Sequence, residues 1–192
     1  MAGPGGNARF PSLGEWLERL FDSDAGAYRY LSGFLDGARG FAPLSALEVP
    51  IDSERPAKVY DDAAIPLTVE ALPVPHGIVP ALGFRVSVGN QVLVFGSDQT
   101  LSNPSFTDFA RGASVLVAHM PIPEGATGTA TQLHATPGTI GQIALETEVD
   151  TLLLSHFMAR SLADLDSNLA AVAARYKGRI VLAEDLACLP LE

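Results

Sequence analysis

The chain's 192 residues, 47% hydrophobic and 18% charged, leave room for one domain with a sizeable core and are too apolar for disorder. Its 22 acidic residues outnumber 12 basic ones for a net charge of −10, which argues against a surface built to grip nucleic-acid phosphates. A single cysteine, Cys188, excludes an internal disulfide framework and any multi-cysteine zinc site.

Residues 1–12 are punctuated by Gly, Pro and Ser and read as loop, without the basic and apolar regions of a signal peptide, so a cytoplasmic location is the default expectation. Ser12 and Glu15 form a capping-box pattern ahead of Trp16, Leu17, Leu20 and Phe21, which predicts a helix. A second amphipathic stretch, Ala27 to Ala38, places Tyr28, Leu31, Phe34 and Leu35 at helical spacing before Gly37 and Gly40 break it. Residues 1–42 thus read as a helical segment capping a core, with substrate contact by Trp16 or Tyr30 as the other reading.

After Pro43 the period changes. Ala57–Tyr60, Leu67–Pro73, Gly83–Val88 and Gln91–Phe95 read as strands, the last two joined by a Gly89-Asn90 hairpin turn. Helices and strands then alternate: helix Ser105–Arg111, strand Val115–Ala118, helix Thr139–Glu146, strand Thr151–Ser155, helix Leu162–Tyr176, strand Arg179–Ala183. Apolar strands alternating with helices indicate an α/β layer architecture in a single domain spanning 1–192. No apolar run approaches the roughly 18–20 residues of a membrane helix.

The histidines carry the chemical information. His76 lies at the mouth of a hairpin, His156 at the end of an apolar strand, and Asp98 where another apolar strand runs out into Gly96-Ser97-Asp98-Gln99-Thr100. Strand ends are where α/β folds place ligand-binding groups. Two imidazoles and a carboxylate so placed can hold a borderline-hard ion such as zinc or manganese. Singly, each is more often a hydrogen-bonded loop residue, turn residue or helix cap than a ligand.

Four motifs in order then resemble the C-terminal half of the metallo-β-lactamase superfamily, nearest its ribonuclease Z-like and arylsulfatase-like branches. They are His76 before Pro80-Ala81-Leu82-Gly83-Phe84-Arg85, Asp98 in its Gly-Ser-Asp turn, His134 in Leu133-His134-Ala135-Thr136-Pro137, and Ser155-His156-Phe157 with Arg160 following. The resemblance runs from about Tyr60 to the C-terminus, with residues 57–192 as the C-terminal sheet-and-helix half. The family signature H-x-H-x-D-H is absent, no His precedes His76, and Gly3-Pro4-Gly5-Gly6 resembles the loop beyond that signature. The implied architecture is α/β, half of an αββα sandwich with a mixed sheet, the N-terminal half missing.

The resemblance implies a metal-dependent hydrolase of an ester, phosphodiester or sulfate ester. In the family, the residues matching His76 and His156 each complete one metal's ligand set and the one matching Asp98 bridges both ions. Here the metal set would be His76, Asp98 and His156, too few for a two-metal clamp, with zinc expected and manganese the second choice. His134 would act as proton donor or oxyanion partner, or be only a helix cap. Glu184 and Asp185 would orient His156 or simply be a solvated strand end, and His119 is read as structural. The acidic charge favours a small-molecule substrate over RNA. A truncated, non-catalytic association module is the competing reading. With one sheet and no second layer, an apolar face would be left open to homodimerisation.

Overall fold

Two short strands that no periodicity signals, β1 (Ala2–Pro4) and β2 (Leu47–Val49), pair in parallel and enclose the N-terminal helical segment. The computed structural model describes residues 1–62 and 64–190, so the expected boundary at residue 192 lies outside the described residues. Helix α1 (Leu13–Phe21) starts where the sequence places it: the Ser12 hydroxyl accepts from the Glu15 amide while the Glu15 carboxylate accepts from the Ser12 amide. The expected second helix over Ala27–Ala38 is instead a 3₁₀ turn at Arg29–Leu31, a single turn α2 (Gly33–Asp36), and a second 3₁₀ turn at Ala38–Gly40. Gly37 ends α2 at φ 75°, a left-handed conformation that closes the helix after one turn. This segment packs on itself and on β1–β2, with Phe21, Phe34 and Phe41 rings in sequence contact, rather than capping the main core.

The main sheet has seven strands in chain order. Strands β3 (Ala57–Asp62), β4 (Leu67–Val74), β5 (Ala81–Val88) and β6 (Gln91–Phe95) form an antiparallel meander, with Val88 opposite Gln91 across the Gly89-Asn90 turn. Helix α3 (Pro104–Ala110) then crosses to β7 (Val115–His119), which adds parallel to β6. Helices α4 (Thr129–Leu133) and α5 (Pro137–Glu146) lead to β8 (Thr151–Ser155). The helix expected over Leu162–Tyr176 is split at Ala163–Asp164 into α6 (Ala159–Leu162) and α7 (Leu165–Arg175), followed by β9 (Arg179–Leu182). Asn168, fully buried in α7, accounts for the join: it donates to the Ser161 carbonyl and accepts from the Glu124 amide. Among the described residues, no helix is long and apolar enough to cross a membrane.

One face of this sheet is the core. Val94, Leu116, Leu152 and Leu154 are buried there with Phe106, Ile140 and Val172 from the helices. The register puts Leu93, Phe95, Val117 and Leu153 on the opposite face. There, β1–β2 covers only the β4–β5 end, where Val49 packs with Ala71 and Leu82. Val117 and Leu153 are half-buried, and Phe95 is 41% exposed.

Candidate metal centre

Parallel neighbours β6, β7 and β8 deliver their C-terminal ends to one place. Asp98 follows β6 through Gly96 and the left-handed Ser97, His119 is the last residue of β7, and His156 follows β8 with φ 54°. Adjacent strands lie about 4.8 Å apart, so side chains from three successive strand ends meet without any long reach. Non-glycine residues at positive φ cost energy, and such conformations gather at functional sites.

Three imidazoles face one oxygen, Asp98 Oδ1: His119 Nδ1 at 2.8 Å, His156 Nε2 at 3.5 Å and His134 Nδ1 at 3.6 Å. Only the first is a hydrogen bond, with His119 Nδ1–H donating to the carboxylate. One ligand atom from each of Asp98, His119 and His156 lies within 4.8 Å of the other two, so the three could hold a metal ion. Burial alone would push the Asp98 carboxyl up, but the His119 hydrogen bond and the three imidazoles hold it below the usual range. His134 is displaced downwards, first by burial and then by His76, His156 and Arg160, against the opposing pull of Asp98.

The surrounding loops are laced together by backbone hydrogen bonds. Ala135 N–H donates to the Gln99 carbonyl, and Thr100 N–H to the Pro75 carbonyl, so the loops bearing His134, Asp98 and His76 are tied to one another. His76 Nδ1–H donates to the Leu133 carbonyl at 2.8 Å, leaving Nε2 with its lone pair, and its ring centroid lies 5.0 Å from that of His134. Gly77, at φ 59°, lets this loop approach: a Cβ there would lie 2.8 Å from Leu133 Cδ2. On its far side His76 lines a cavity of about 630 Å³ walled by residues 7–9 and 51–54, held by the Asn7 amide donating to the Ile78 carbonyl.

Asp98, His134 and His156 therefore converge, and His76 stands against His134 but outside the triad that could hold an ion. His119, read from sequence as structural, is in the triad. Its signal was the one used for Asp98 and His156, the end of an apolar strand. What was lacking was the strand order, which inserts β7 between β6 and β8. Glu184 and Asp185 are exposed beyond β9, and among the described residues neither carboxylate hydrogen-bonds to His156.

No family model matches the sequence, and no curated protein matches it. Solved structures do match the chain's shape. Human tRNase Z, short form, superposes with TM-score 0.60 at 17% identity, covering 86% of this chain and 64% of its own. The metallo-beta-lactamase fold protein YhfI from Bacillus subtilis gives 0.57 at 21%, covering 72% and 54%. Zinc-bound PqqB from Methylobacterium extorquens gives 0.53 at 15%, covering 84% and 62%. The chain thus spans less than two-thirds of each of these proteins.

Proposed function

We propose that this chain, which has the metallo-β-lactamase fold, is a metal-dependent hydrolase of small esters, phosphodiesters or sulfate esters that works with one divalent ion. The observation that carries this reading is the convergence of three imidazoles on one carboxylate oxygen at the ends of three neighbouring strands. The donor set fits the group: nitrogen and carboxylate oxygen suit zinc, with manganese second. Asp98, His119 and His156 would hold the ion. When bound, it would acidify a water and polarise the scissile ester or phosphoryl oxygen.

The remaining groups act on the substrate and on the ligands. Against the upward push of burial, the His119 hydrogen bond and the neighbouring imidazoles hold the Asp98 carboxyl below the usual carboxylate range, which favours the charged form a metal ligand needs. Arg160, anchored by Nε–H donation to the Pro121 carbonyl, brings a positive charge that His134 feels, which favours an anionic ester. The cavity beside His76 is of the size that takes a small molecule, and the net charge of −10 repels a polyanion such as RNA.

Metal uptake and hydrolysis test this together. Purified chain, stripped and given zinc or manganese, is expected to bind one ion and to turn over bis-p-nitrophenyl phosphate or an aryl sulfate slowly. Asp98→Ala should abolish both. Turnover that survives Asp98→Ala with metal uptake intact would reject the site. The competing reading, a non-catalytic association module, is favoured by the open apolar face around Phe95.

A further inference from the structure

We propose that Gln99 is a positioning residue for Asp98: its buried side-chain amide clasps the loop that aims the Asp98 carboxylate at His119 and His156. The inference rests on the metal-binding reading above. It adds to that reading a residue that ligates nothing and acts only through its neighbour.

Three observations carry it. The first is the place of the amide's bond. Gln99 Nε2 donates to the Gly96 carbonyl at 2.6 Å, so the two ends of loop 96–99 are closed across Asp98. A carbonyl can only accept, which fixes the amide with its nitrogen towards Gly96. The second is what this bond connects. The Gly96 amide donates to the Val117 carbonyl of β7, two residues before His119, and the Gln99 carbonyl accepts from the Ala135 amide, next to His134. Gln99 therefore joins the strand that carries His119 to the loop that carries His134, with Asp98 held between. The 2.8 Å bond from His119 Nδ1 to Asp98 Oδ1 depends on both sides of that frame.

The third is that packing alone does not call for an amide here. Gln99 is 4% exposed and shares a small internal cavity with Leu101, Phe106, Leu116 and Ala118, all buried. Its Oε1 has no hydrogen-bond partner. Buried polar atoms are nearly always satisfied, and an unmet one costs stability. A methionine would fill the same space without a stranded oxygen, since it is unbranched and adapts to irregular gaps. What it would lose is the donor that closes the Asp98 loop. The amide is thus explained by the site it frames.

The test compares the full chain with Gln99→Met and with Gln99→Asn, whose amide is one methylene too short to reach Gly96. The control is Thr147→Val, which removes a buried hydroxyl bonded to the Ile143 carbonyl, before the opposite end of β8. Two readouts are taken beside the melting temperature. In the metal-free chain, the NMR signal of the His119 Nδ1 proton reports its bond to Asp98. It should shift and exchange faster with water in both Gln99 variants and stay in place in Thr147→Val. Zinc affinity, by competition with a chromophoric chelator, should fall roughly tenfold or more in both Gln99 variants, the usual loss when a partner behind a metal ligand is removed. Gln99→Met should melt no lower than Thr147→Val, whose zinc affinity should match wild type. An unmoved His119 signal in both Gln99 variants would overturn the proposal. So would an equal loss of zinc affinity in Thr147→Val, or failure of both Gln99 variants to fold, since each would make Gln99 a residue of the fold alone. A wild-type chain that takes up no zinc would remove the metal reading, and the His119 signal would still decide whether Gln99 positions Asp98.

Discussion

Tyr176 follows α7 with its ring buried and its hydroxyl donating to the carbonyls of Val149 and Asp150, at 2.8 and 2.9 Å. It therefore ties the end of the last helix to the entry of β8, the strand that carries His156. Burial first, and the Asp150 carboxylate second, raise its pKa above the ordinary value. A raised pKa means the folded state holds the proton longer than the unfolded chain does. Its stability contribution is complete below the unfolded value of about 10 and is lost as pH climbs through the folded value. Tyr176→Phe should cost about 1–2 kcal/mol at neutral pH, from two lost hydrogen bonds. Urea midpoints taken between neutral pH and pH 11 should fall for wild type and fall less steeply for the variant. Equal slopes would remove Tyr176 as the source of the alkaline loss.

At the scale of elements, the site is a matter of loops docked on strand ends. The loop after β4 reaches α4 only because Gly77 takes a left-handed φ of 59° and leaves Leu133 room. Gly77→Ala meets both obstacles, strain and a 2.8 Å contact. It should destabilise the fold by about 1–3 kcal/mol, seen as a lower melting temperature. The lesion should also reach the site, since the His76 bond to the Leu133 carbonyl runs through the same contact and positions His134 next door. Zinc affinity of the folded variant should therefore drop alongside stability, and unchanged affinity would mean the two loops are not coupled.

At the scale of the whole molecule, the sheet is covered by helices on one face and by β1–β2 on only one end of the other. Phe95, 41% exposed, lies with the half-buried Leu93, Val117 and Leu153 on that open side. Apolar surface of this kind gains from burial at about 25 cal/mol per Å². The chain is expected to self-associate through it. Two copies of charge −10 repel, so association should strengthen as salt screens them. Sedimentation equilibrium should show mass rising with concentration and with salt, and Phe95→Glu should return the chain to monomer. A wild-type monomer at every concentration would exclude this face as a homodimer surface.

Much of this architecture is local in origin and so was legible in the residues. The Ser12–Glu15 cap, the Gly89-Asn90 turn, the two-sided apolarity of β7 and β8 and the strand-end positions of Asp98 and His156 each depend on neighbours a few places away. The three-residue strands β1 and β2 were not legible, because a segment so short has no period and exists only by pairing across the intervening residues. The Ala27–Ala38 helix failed where glycine and ring packing overrode spacing. The site divides along the same line. Residue type and strand-end position marked Asp98 and His156 in the sequence, and the family resemblance marked His134. Strand order alone put His119 between Asp98 and His156, and the docking of the His134 loop alone decided that a third nitrogen faces the same carboxylate oxygen, because that approach is set by contacts between segments distant in the chain.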